Sequence, residues 1–493
     1  MASNPVIPGF HPDPSVCRAG DGFWLVTSSF ACTPGLPLFH SRDLVHWRPA
    51  GHVLDRPEQL DLARCATRSG LFAPTIRHHR GRWYVVCTVV GGGGNFLVWT
   101  DDPAAGWSNP LWIDHEWFDP DLCFLADGSC WYSRKTDDGI GTAPLDPDTG
   151  RLLAPLTTIA RPGPTPDFEG PHRYRIGDWW YLLVAEGGTR ANHAAVMLRS
   201  RDPLGPYERD PAGPLATHRH LGHGPIRDIG HADLVQHPDG TWWLVCLGTR
   251  QMRYDAASVL GRETFLAPVR WVDGWPRLVH GRIRPDIADR LPPAEPWPMR
   301  AEDPWTGPGL PADWCGMRWP AAGAVSVAAG ALTLRCLADH PEDPLGAPAM
   351  ALAARTGFSG TLSARLEPPV AAGAEAGLIL FGSEVQQARI AVRDGSARWT
   401  FRAAAGLVAE GGPLAIPAGP VELRLRVAEG LVHGEILIDG TWRSLGCGED
   451  RFLAPEYAPV WAWTGTMAGC WACGRDGGLG SRAVFSRIIA DWR

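Results

Sequence analysis

Four ionisable residues stand at the start of apolar stretches that otherwise resemble one another. Asp13 lies in FHPDPS, Asp119 in FDPDLCF, Glu169 in DFEGPHRY and His231 in IGHADLV. Two carboxyl groups in different protonation states perform glycoside hydrolysis, because a protonated acid donates to the leaving oxygen and an ionised carboxylate activates water. A third carboxylate nearby raises the pKa of that acid by like-charge repulsion. Taken singly, Asp13 fits a turn aspartate and His231 a core histidine, so the chemistry depends on whether the four residues meet.

The four residues occupy equivalent positions of an internal repeat. Five segments share an apolar stretch, a Gly- or Asp-rich turn and an aromatic run; they are residues 11–28, 73–88, 119–134, 169–187 and 231–248. Each predicts a strand, a tight turn and a second strand. Five hairpins at intervals of roughly 45–60 residues indicate a β-propeller. Aligned on their turns, the copies open with Asp13, Ala73, Asp119, Glu169 and His231. The first strand of each blade lines the propeller axis, so three carboxylates and a histidine are predicted to converge there.

Local sequence refines this candidate site. Prolines flank Asp13 on both sides, and a following proline favours extended geometry, so we expect a rigid carboxylate on an extended backbone. Gly170, next to Glu169, leaves room for a ligand to approach the backbone. Arg262, in VLGRETFL, is a candidate for positive charge that orients one of the carboxylates.

The elements that position these residues change character along the chain. Residues 1–290 contain the repeats and are predicted to form a five-bladed propeller. The proline-rich stretch 291–305 is predicted to be a linker. Residues 306–493 alternate apolar and polar positions, with turns every 8–12 residues, which predicts a β-sandwich. The whole chain is therefore expected to be all-β.

Composition limits the partners of this 493-residue chain. A net charge of -7 gives no basic footprint for nucleic acid. No apolar run approaches the roughly 18–20 residues of a membrane helix. The N-terminus has no signal-peptide pattern and the 12 cysteines are scattered, so a reducing cytoplasm is expected. Lys135 is the only lysine, which we interpret as codon bias rather than mechanism.

The motifs NPVIPGFHPDPS, TSSF, APTIR, FDPDL, EGPH, AEGGT, GHADLV and LGRETF, in this order, resemble glycoside hydrolase family 43. The similarity is to the branch of β-xylosidases and α-L-arabinofuranosidases with an added C-terminal domain. It implies a five-bladed propeller, a β-sandwich resembling a jelly roll or concanavalin, and hydrolysis with inversion at the anomeric carbon. It implies no required cofactor.

The resemblance assigns roles to the three acidic positions and to Arg262. Asp13 matches the general base that activates water, and Glu169 matches the general acid. Asp119 matches the aspartate that orients the acid and tunes its pKa. Arg262 matches an arginine that touches the substrate or that modulating aspartate.

Four further positions are assigned to substrate binding or to a metal. Phe30, in TSSF, matches an aromatic wall of the pocket. His231 matches an axial histidine that in some members binds calcium or a chain of waters near the propeller axis. Phe72 stands before APT where the family often has Trp or Tyr, which implies altered stacking. Met467 stands where relatives place an aromatic on a sandwich loop that closes the pocket, which implies a softer outer wall.

These observations predict an inverting exo-glycoside hydrolase that releases terminal xylose, arabinofuranose or both from plant-derived oligosaccharides. We expect the carboxyl groups of Asp13 and Glu169 to lie about 6.5–9.5 Å apart, leaving room for water. One alternative is an α-L-arabinofuranosidase with little xylosidase activity. Another, of a different class, is a carbohydrate-binding propeller without catalysis. A small oligosaccharide is the expected partner, with a homo-oligomer as a further expectation.

Overall fold

The computed structural model shows an all-β chain in two parts, a five-bladed propeller and a concanavalin-like β-sandwich, which confirms the predicted fold class. It describes residues 3–222, 224–252, 257–287, 305–307, 309–369, 371–404, 406–460 and 463–493. Apart from Trp305, the predicted linker lies outside the described residues. The two helices in the described ranges are short 3₁₀ turns, Asp450–Leu453 and Pro455–Tyr457. No helix of the described chain has the length and apolar character needed to cross a membrane.

The propeller strands follow the chain blade by blade. The first segment contains β1 (Ser15–Ala19), β2 (Gly22–Val26), β3 (Cys32–Thr33), β4 (Gly35–Ser41) and β5 (Trp47–Leu54). The second contains β6 (Gly70–Leu71), β7 (Thr75–His79), β8 (Arg82–Val90), β9 (Gly94–Thr100) and β10 (Leu111–Asp114). The third contains β11 (Asp121–Phe124), β12 (Cys130–Thr136), β13 (Gly139–Asp146), β14 (Arg151–Leu152) and β15 (Thr157–Ala160). The fourth contains β16 (Glu169–Ile176), β17 (Trp179–Glu186), β18 (Ala194–Ser200), β19 (Glu208–Arg209) and β20 (Ala216–Thr217). The fifth contains β21 (Ile226–Gln236), β22 (Trp242–Arg250), β23 (Arg262–Val272) and β24 (Trp275–Leu278).

Each repeat forms the predicted antiparallel hairpin, with its first strand innermost. The pairs are β1–β2, β7–β8, β11–β12, β16–β17 and β21–β22. The inner strands contact one another in a ring, from β1 through β7, β11, β16 and β21 back to β1. Residues Val6 and Ile7 hydrogen-bond to Thr264 of β23, so the start of the chain is attached to the last blade. The ring therefore places the five leading residues of the repeats around one axis.

The second part consists of two stacked antiparallel sheets. One has the order β3, β25 (Trp314–Met317), β28 (Ala349–Ala354), β37 (Met467–Cys473), β30 (Glu375–Ser383), β31 (Gln386–Arg393), β32 (Ser396–Ala403), β33 (Gly406–Ala415). The other has the order β26 (Val325–Ala328), β27 (Ala331–Arg335), β38 (Arg482–Trp492), β29 (Gly360–Glu367), β34 (Val421–Ala428), β35 (Leu431–Ile438), β36 (Thr441–Glu449). Inward side chains of both sheets form one hydrophobic core that includes Trp399, Phe401 and Phe485.

The sandwich and the propeller share a strand and a core. Strand β3, which follows the first hairpin of the propeller, pairs with β25 and so extends a sandwich sheet. Phe10 and Phe30 of the propeller pack with Met350, Phe381 and Trp471 of the sandwich in a single buried cluster. This shared core fixes the sandwich against the end of the propeller at which the candidate site lies.

Candidate active site

A pocket of about 350 Å³ lies where the inner propeller strands begin. Seven of the eight residues expected from the sequence line it, namely Asp13, Phe30, Phe72, Asp119, Glu169, His231 and Arg262. The eighth, Met467, lies elsewhere. Further lining residues are Trp117, Phe118, Lys135, Asp167, Thr189, His193 and Trp463. The volume falls in the lower part of the range typical of small-ligand sites.

Residues with a left-handed backbone lie just before or within several inner strands. The φ angles of Asp13, Asp119 and His231 are +55°, +58° and +40°, and that of Gly170 is +58°. The extended backbone expected for Asp13 from its flanking prolines is therefore wrong. Successive side chains of a strand point to opposite faces of the sheet. A residue with a left-handed φ breaks this alternation, so the side chains at these positions can turn toward the propeller axis. Such conformations cost of order 1–3 kcal/mol for non-glycine residues and are concentrated at functional sites.

Asp13 is buried among groups that favour its ionised form. Ser28 Oγ donates to Oδ2 at 2.6 Å, and Arg262 Nη1 donates to Oδ1 at 2.8 Å. Burial by itself raises the pKa of Asp13, but Arg262, His231 and the Ser28 hydrogen bond outweigh it, so the pKa lies below its usual range. Arg262 pairs with Asp13 and not with Asp119, the partner that the family resemblance allowed. Asp13 is therefore held as a carboxylate.

The surroundings of Asp119 and Glu169 favour the protonated form of each carboxyl group instead. Asp119 Oδ2 accepts a hydrogen bond from the Gly170 backbone N–H at 3.1 Å, and Glu169 Oε2 accepts one from Lys135 Nζ at 3.2 Å. Burial, followed by the charges of Glu169 and Asp13, raises the pKa of Asp119 well above its usual value. Burial also raises the pKa of Glu169, although Lys135 opposes the rise. The pair therefore favours retention of a proton.

His231 packs on the backbone beside Glu169. A Cβ atom on Gly170 would lie 2.9 Å from His231 Cε1, so the space expected for a ligand next to Gly170 is filled by this imidazole. His231 Nδ1 lies 3.9 Å from Asp13 Oδ1, and burial lowers the pKa of His231 to about 4. Calcium takes six to eight oxygen ligands, and within the described residues no three His, Cys, Asp or Glu side chains are arranged to hold a metal.

Aromatic rings form one wall of the pocket. The Phe30 and Phe72 ring centroids lie 5.2 Å apart, those of Phe72 and Phe118 6.0 Å apart, and those of Phe118 and Trp117 5.9 Å apart. The Arg262 guanidinium lies 5.7 Å from the centroid of Phe30. The row presents an apolar surface directly beside the carboxylates.

Trp463 brings the sandwich domain into the pocket. Its backbone carbonyl accepts a hydrogen bond from Arg262 Nη2 at 3.2 Å. The adjoining segments cross closely because both carry glycine, and a Cβ on Gly261 would lie 2.6 Å from the Cα of Gly465. Thr466 N donates to the Val259 carbonyl at 2.9 Å and continues this contact. The sandwich thus supplies an aromatic wall and fixes it to the residue that holds Asp13.

Met467, expected on this outer wall, lies instead in the buried core between the domains. It is the first residue of β37, and its sulfur lies 3.9 Å from the Cys32 thiol. Phe10 and Phe30 belong to the same cluster. Met467 therefore lies behind the aromatic wall, and Trp463, four residues earlier, lines the pocket.

A second group of charges lies next to the pocket on the inner strands, and we call Arg77, Asp121, His172 and Asp233 the axis cluster. Arg77 Nη1 lies 2.8 Å from Asp233 Oδ2, and Nη2 lies 2.7 Å from Asp121 Oδ1 and 2.9 Å from His172 Nδ1. Asp233 also accepts hydrogen bonds from Ser15 Oγ, Tyr174 Oη and backbone N–H groups. Burial raises the pKa of Asp233, but Arg77 and its other partners lower it below its usual range.

Seven of the lining residues named above were not expected from the sequence, and three of them show why. The available signal for Lys135 is that it is the sole lysine of the chain. Trp463 lies four residues before Met467 in WTGTMAG, and Met467 is the residue of this motif that the family resemblance indicates. His193, whose Nδ1 bonds the Asp228 carbonyl at 2.9 Å, directly precedes β18 outside the repeated hairpins, so the repeat alignment could not find it.

Comparison with known proteins agrees with this geometry. Residues 2–276 match the family model of glycosyl hydrolases family 43, and residues 302–488 match the beta xylosidase C-terminal concanavalin A-like domain. The chain is 43% identical to a non-reducing end alpha-L-arabinofuranosidase of Bacteroides ovatus and 42% identical to a xylosidase/arabinosidase of Butyrivibrio fibrisolvens. These alignments cover 64% and 59% of this chain, and they span 61% and 59% of those proteins' own lengths.

Solved structures are similar over nearly the whole chain. The Bacteroides ovatus xyloglucan PUL GH43B superposes with a TM-score of 0.92 at 35% identity, covering 98% of both chains. A xylan beta-1,4-xylosidase from Bacillus halodurans superposes with a TM-score of 0.91 at 28% identity, covering 98% of this chain and 99% of that one. The propeller, its convergent carboxylates and the attached sandwich therefore place this chain in glycosyl hydrolases family 43.

Proposed function

We propose that this chain is an inverting exo-acting glycoside hydrolase that releases terminal xylose, with arabinofuranose as a second terminal sugar, from short plant-derived oligosaccharides. The observation that carries the proposal is a divergence of protonation within one pocket. Arg262 and Ser28 hold Asp13 as a carboxylate, whereas burial raises the pKa of Glu169. Two carboxyl groups whose surroundings push their pKa values apart are the acid and the base of this chemistry.

The reaction follows from these two states. Asp13 removes a proton from a water molecule as the water oxygen attacks the anomeric carbon. Glu169 gives its proton to the glycosidic oxygen as the bond from that oxygen to the anomeric carbon breaks. The water attacks from the face opposite the leaving group, so the released sugar has inverted configuration. Asp119 sets the charge next to the acid, and Arg262 keeps the base ionised.

The shape of the pocket supports action at chain ends. Its volume of about 350 Å³ is small, and Trp463 of the sandwich stands on its wall together with Phe30, Phe72 and Phe118. Aromatic faces suit the apolar C–H faces of a sugar ring, and carboxylates and Arg262 suit its hydroxyl groups. Such a pocket accommodates a terminal sugar better than the interior of a polymer.

We include arabinofuranose as a second terminal sugar because the names of two similar proteins include arabinose-releasing activity. The protein that is 43% identical is an alpha-L-arabinofuranosidase, and the one that is 42% identical carries both activities in its name. An α-L-arabinofuranosidase with little xylosidase activity is therefore the second candidate function. A calcium ion near His231 and a homo-oligomer stay predictions.

Two measurements test the proposal. We expect turnover of nitrophenyl β-xyloside or nitrophenyl α-L-arabinofuranoside, and the ratio of their kcat/KM values decides between the two candidate sugars. NMR during the first minutes of hydrolysis should show the α-anomer of xylose from a β-xyloside. Initial β-anomer would contradict inversion, and it would also contradict the expected separation of Asp13 and Glu169.

A matched variant separates catalysis from sugar binding alone. Glu169→Gln keeps the size of the side chain and removes its proton donor, so it should bind xylobiose while losing its hydrolysis. A wild-type protein that binds xylobiose but turns over neither nitrophenyl glycoside would support the non-catalytic propeller.

A further inference from the structure

The only lysine of the chain lies beside the proposed general acid. Lys135 belongs to β12 of the third blade, and its Nζ donates to Oε2 of Glu169, the first residue of β16 in the fourth blade, at 3.2 Å. The side chains of Lys135 and Glu169 are 13% and 21% exposed, so the contact is largely shielded from solvent but open to the pocket. The chain has 46 basic residues, and in all other cases arginine was used.

The surroundings of Lys135 fix its position. Its backbone N–H donates to the Phe118 carbonyl at 3.2 Å, which ties β12 to the segment that carries Asp119. Its ammonium lies 5.1 Å from the Phe118 ring and 5.4 Å from the Trp117 ring. The neighbouring Arg134 points to other partners, Asp114 and Glu116. Lys135 is therefore the cation of this strand that reaches the pocket.

Four acidic and two permanently cationic side chains line the pocket. The acidic side chains are Asp13, Asp119, Asp167 and Glu169, and the permanently cationic ones are Lys135 and Arg262. Arg262 is bound to Asp13. Lys135 is consequently the lining cation that faces the proposed acid.

The choice of lysine over arginine has a geometric consequence. A guanidinium binds carboxylates through two parallel hydrogen bonds and would occupy both oxygens of Glu169. An ammonium is a point charge, and here it holds Oε2 alone. We propose that Lys135 is a positioning residue that holds Glu169 through one oxygen, so that the other oxygen carries the proton toward the leaving group. This inference rests on the proposed function.

The same contact sets the alkaline limit of activity. Lys135 stabilises the ionised form of Glu169 and so opposes the rise of its pKa that burial causes. Removal of the positive charge should raise that pKa further, so the acid would stay protonated to higher pH. The basic limb of the kcat/KM profile, which reports loss of the acid's proton in the free enzyme, should therefore move to higher pH.

The test compares Lys135→Met, Lys135→Arg and wild type on two substrates. Xylobiose needs a proton on its leaving oxygen, whereas 2,4-dinitrophenyl β-xyloside releases a phenolate that does not. We expect Lys135→Met to lower kcat/KM for xylobiose about 10–100-fold, part of the range for general acid catalysis. The dinitrophenyl substrate should change less than about threefold, and the basic limb should move to higher pH. Equal losses on both substrates, or an unmoved limb, would overturn the proposal.

Two further variants keep the result interpretable. Lys135→Arg retains the charge, so its basic limb should not move to higher pH, while its xylobiose activity should stay low because both Glu169 oxygens become engaged. Wild-type xylobiose activity in Lys135→Arg would contradict the role of a single free oxygen. Arg161→Met is the matched control, because Arg161 pairs with Asp138 at an exposed site, and it should leave both substrates and the limb unchanged.

Thermal unfolding establishes that each variant is folded, and Lys135→Gln replaces Lys135→Met should the latter fail to fold. The experiments distinguish an error in the proposed function from an error in the role of Lys135. A wild type that is inactive on both glycosides refutes the proposed function. An active wild type with parallel losses in Lys135→Met refutes only the role of Lys135.

Discussion

Asp119 of the pocket and the two carboxylates of the axis cluster are buried close together around the propeller axis, and their surroundings are balanced in opposite ways. In the axis cluster, Arg77 bridges Asp121 and Asp233 at 2.7 and 2.8 Å, and further donors satisfy both carboxylates. In the pocket, Asp119 accepts a single hydrogen bond from the described residues, the one from Gly170 N–H. The pKa of Asp233 is lowered below its usual range, and that of Asp119 is raised well above it.

Burial alone therefore does not make a carboxyl group reactive. Asp119 and Asp121 are two residues apart, as are His231 and Asp233, and all four are buried. What separates them is the number of partners, because a buried charge that is fully paired becomes a structural ion pair. A left-handed residue at Asp119 and another at His231 accompany the pocket side chains, whereas Asp121 and Asp233, two residues further on, lie in the axis cluster. The comparison predicts that pocket variants lose activity and axis variants lose stability.

The largest expected effect is the loss of the proposed base. Asp13→Asn keeps the shape of the side chain but cannot accept a proton from water, so kcat/KM on nitrophenyl β-xyloside should fall by about 10²–10⁴-fold. Its melting temperature should also fall, because the substitution leaves the buried Arg262 guanidinium without its charged partner, so kcat/KM is measured at a temperature where the variant is folded. A variant that keeps more than a tenth of the wild-type activity would remove Asp13 from the mechanism.

The next effect concerns the axis cluster. Arg77→Met removes the guanidinium between two carboxylates, Asp121 and Asp233, whose side chains are fully buried. Breaking a buried pair in this way costs about 3–5 kcal/mol, so we expect a strongly reduced denaturation midpoint, measured in urea by tryptophan fluorescence.

Arg201→Met is the matched control for Arg77→Met. Arg201 pairs with Asp178 at a site where the side chains are 60% and 87% exposed. Loss of an exposed pair costs about 0–1 kcal/mol, so its midpoint should stay close to the wild-type value. Equal midpoints for the two variants would contradict the contrast between the clusters.

The sequence predicts the convergence of the carboxylates because it repeats. Five hairpins with the same order of apolar, turn and aromatic residues required a ring, and the leading residues of the repeats then had to share an axis. Asp13, Asp119, Glu169 and His231 were placed by that alignment, and the structure brings all four to one pocket. A repeat converts distant positions into equivalent ones, which is why the alignment of the repeats was sufficient where no single local motif was.

What the alignment could not predict are contacts made between non-equivalent positions. Trp463 reaches the pocket because two backbones cross at Gly261 and Gly465, segments about 200 residues apart with no periodic relation. Lys135 lies on the second strand of its hairpin and faces the next blade. The left-handed φ of Asp13 was also missed, because the local preference of a residue before proline yields to the tertiary contacts with Ser28 and Arg262.

A smaller effect tests whether the absence of a side chain at Gly170 is needed to leave room for the His231 imidazole. In Gly170→Ala the new Cβ would lie 2.9 Å from His231 Cε1, at a φ of +58°. Gly177→Ala has nearly the same φ, +57°, with nothing within 4 Å of the new Cβ, so it carries the conformational cost alone. That cost is about 1 kcal/mol. We expect both alanine variants to be destabilised and only Gly170→Ala to lose activity, measured by thermal unfolding and by kcat/KM. Similar activity in both would show that His231 is not held by this contact.

The smallest expected effect is a dependence of stability on pH at Asp119. Its pKa is raised in the folded protein, first by burial and then by the charges of Glu169 and Asp13. The folded state therefore binds this proton more tightly than the unfolded chain. The resulting stabilisation is fully present below the unfolded pKa and is lost as pH rises through the folded pKa. Asp233 behaves in the opposite way, because its lowered pKa gives stability that is lost as pH falls.

Asp119→Asn should reduce the alkaline loss, to which Glu169 also contributes through its raised pKa, and leave the acidic one. Its melting temperature should match that of the wild type near pH 4 and exceed it at pH 8 by about 1 °C, the shift that about 1 kcal/mol produces in a chain of 493 residues. The acidic decline should persist, because the axis cluster is intact in this variant. Asp178→Asn, at a site that is 87% exposed, should follow the wild type throughout. A constant offset of Asp119→Asn at every pH would mean that this carboxyl group does not titrate with folding, and the pocket would then resemble the axis cluster rather than contrast with it.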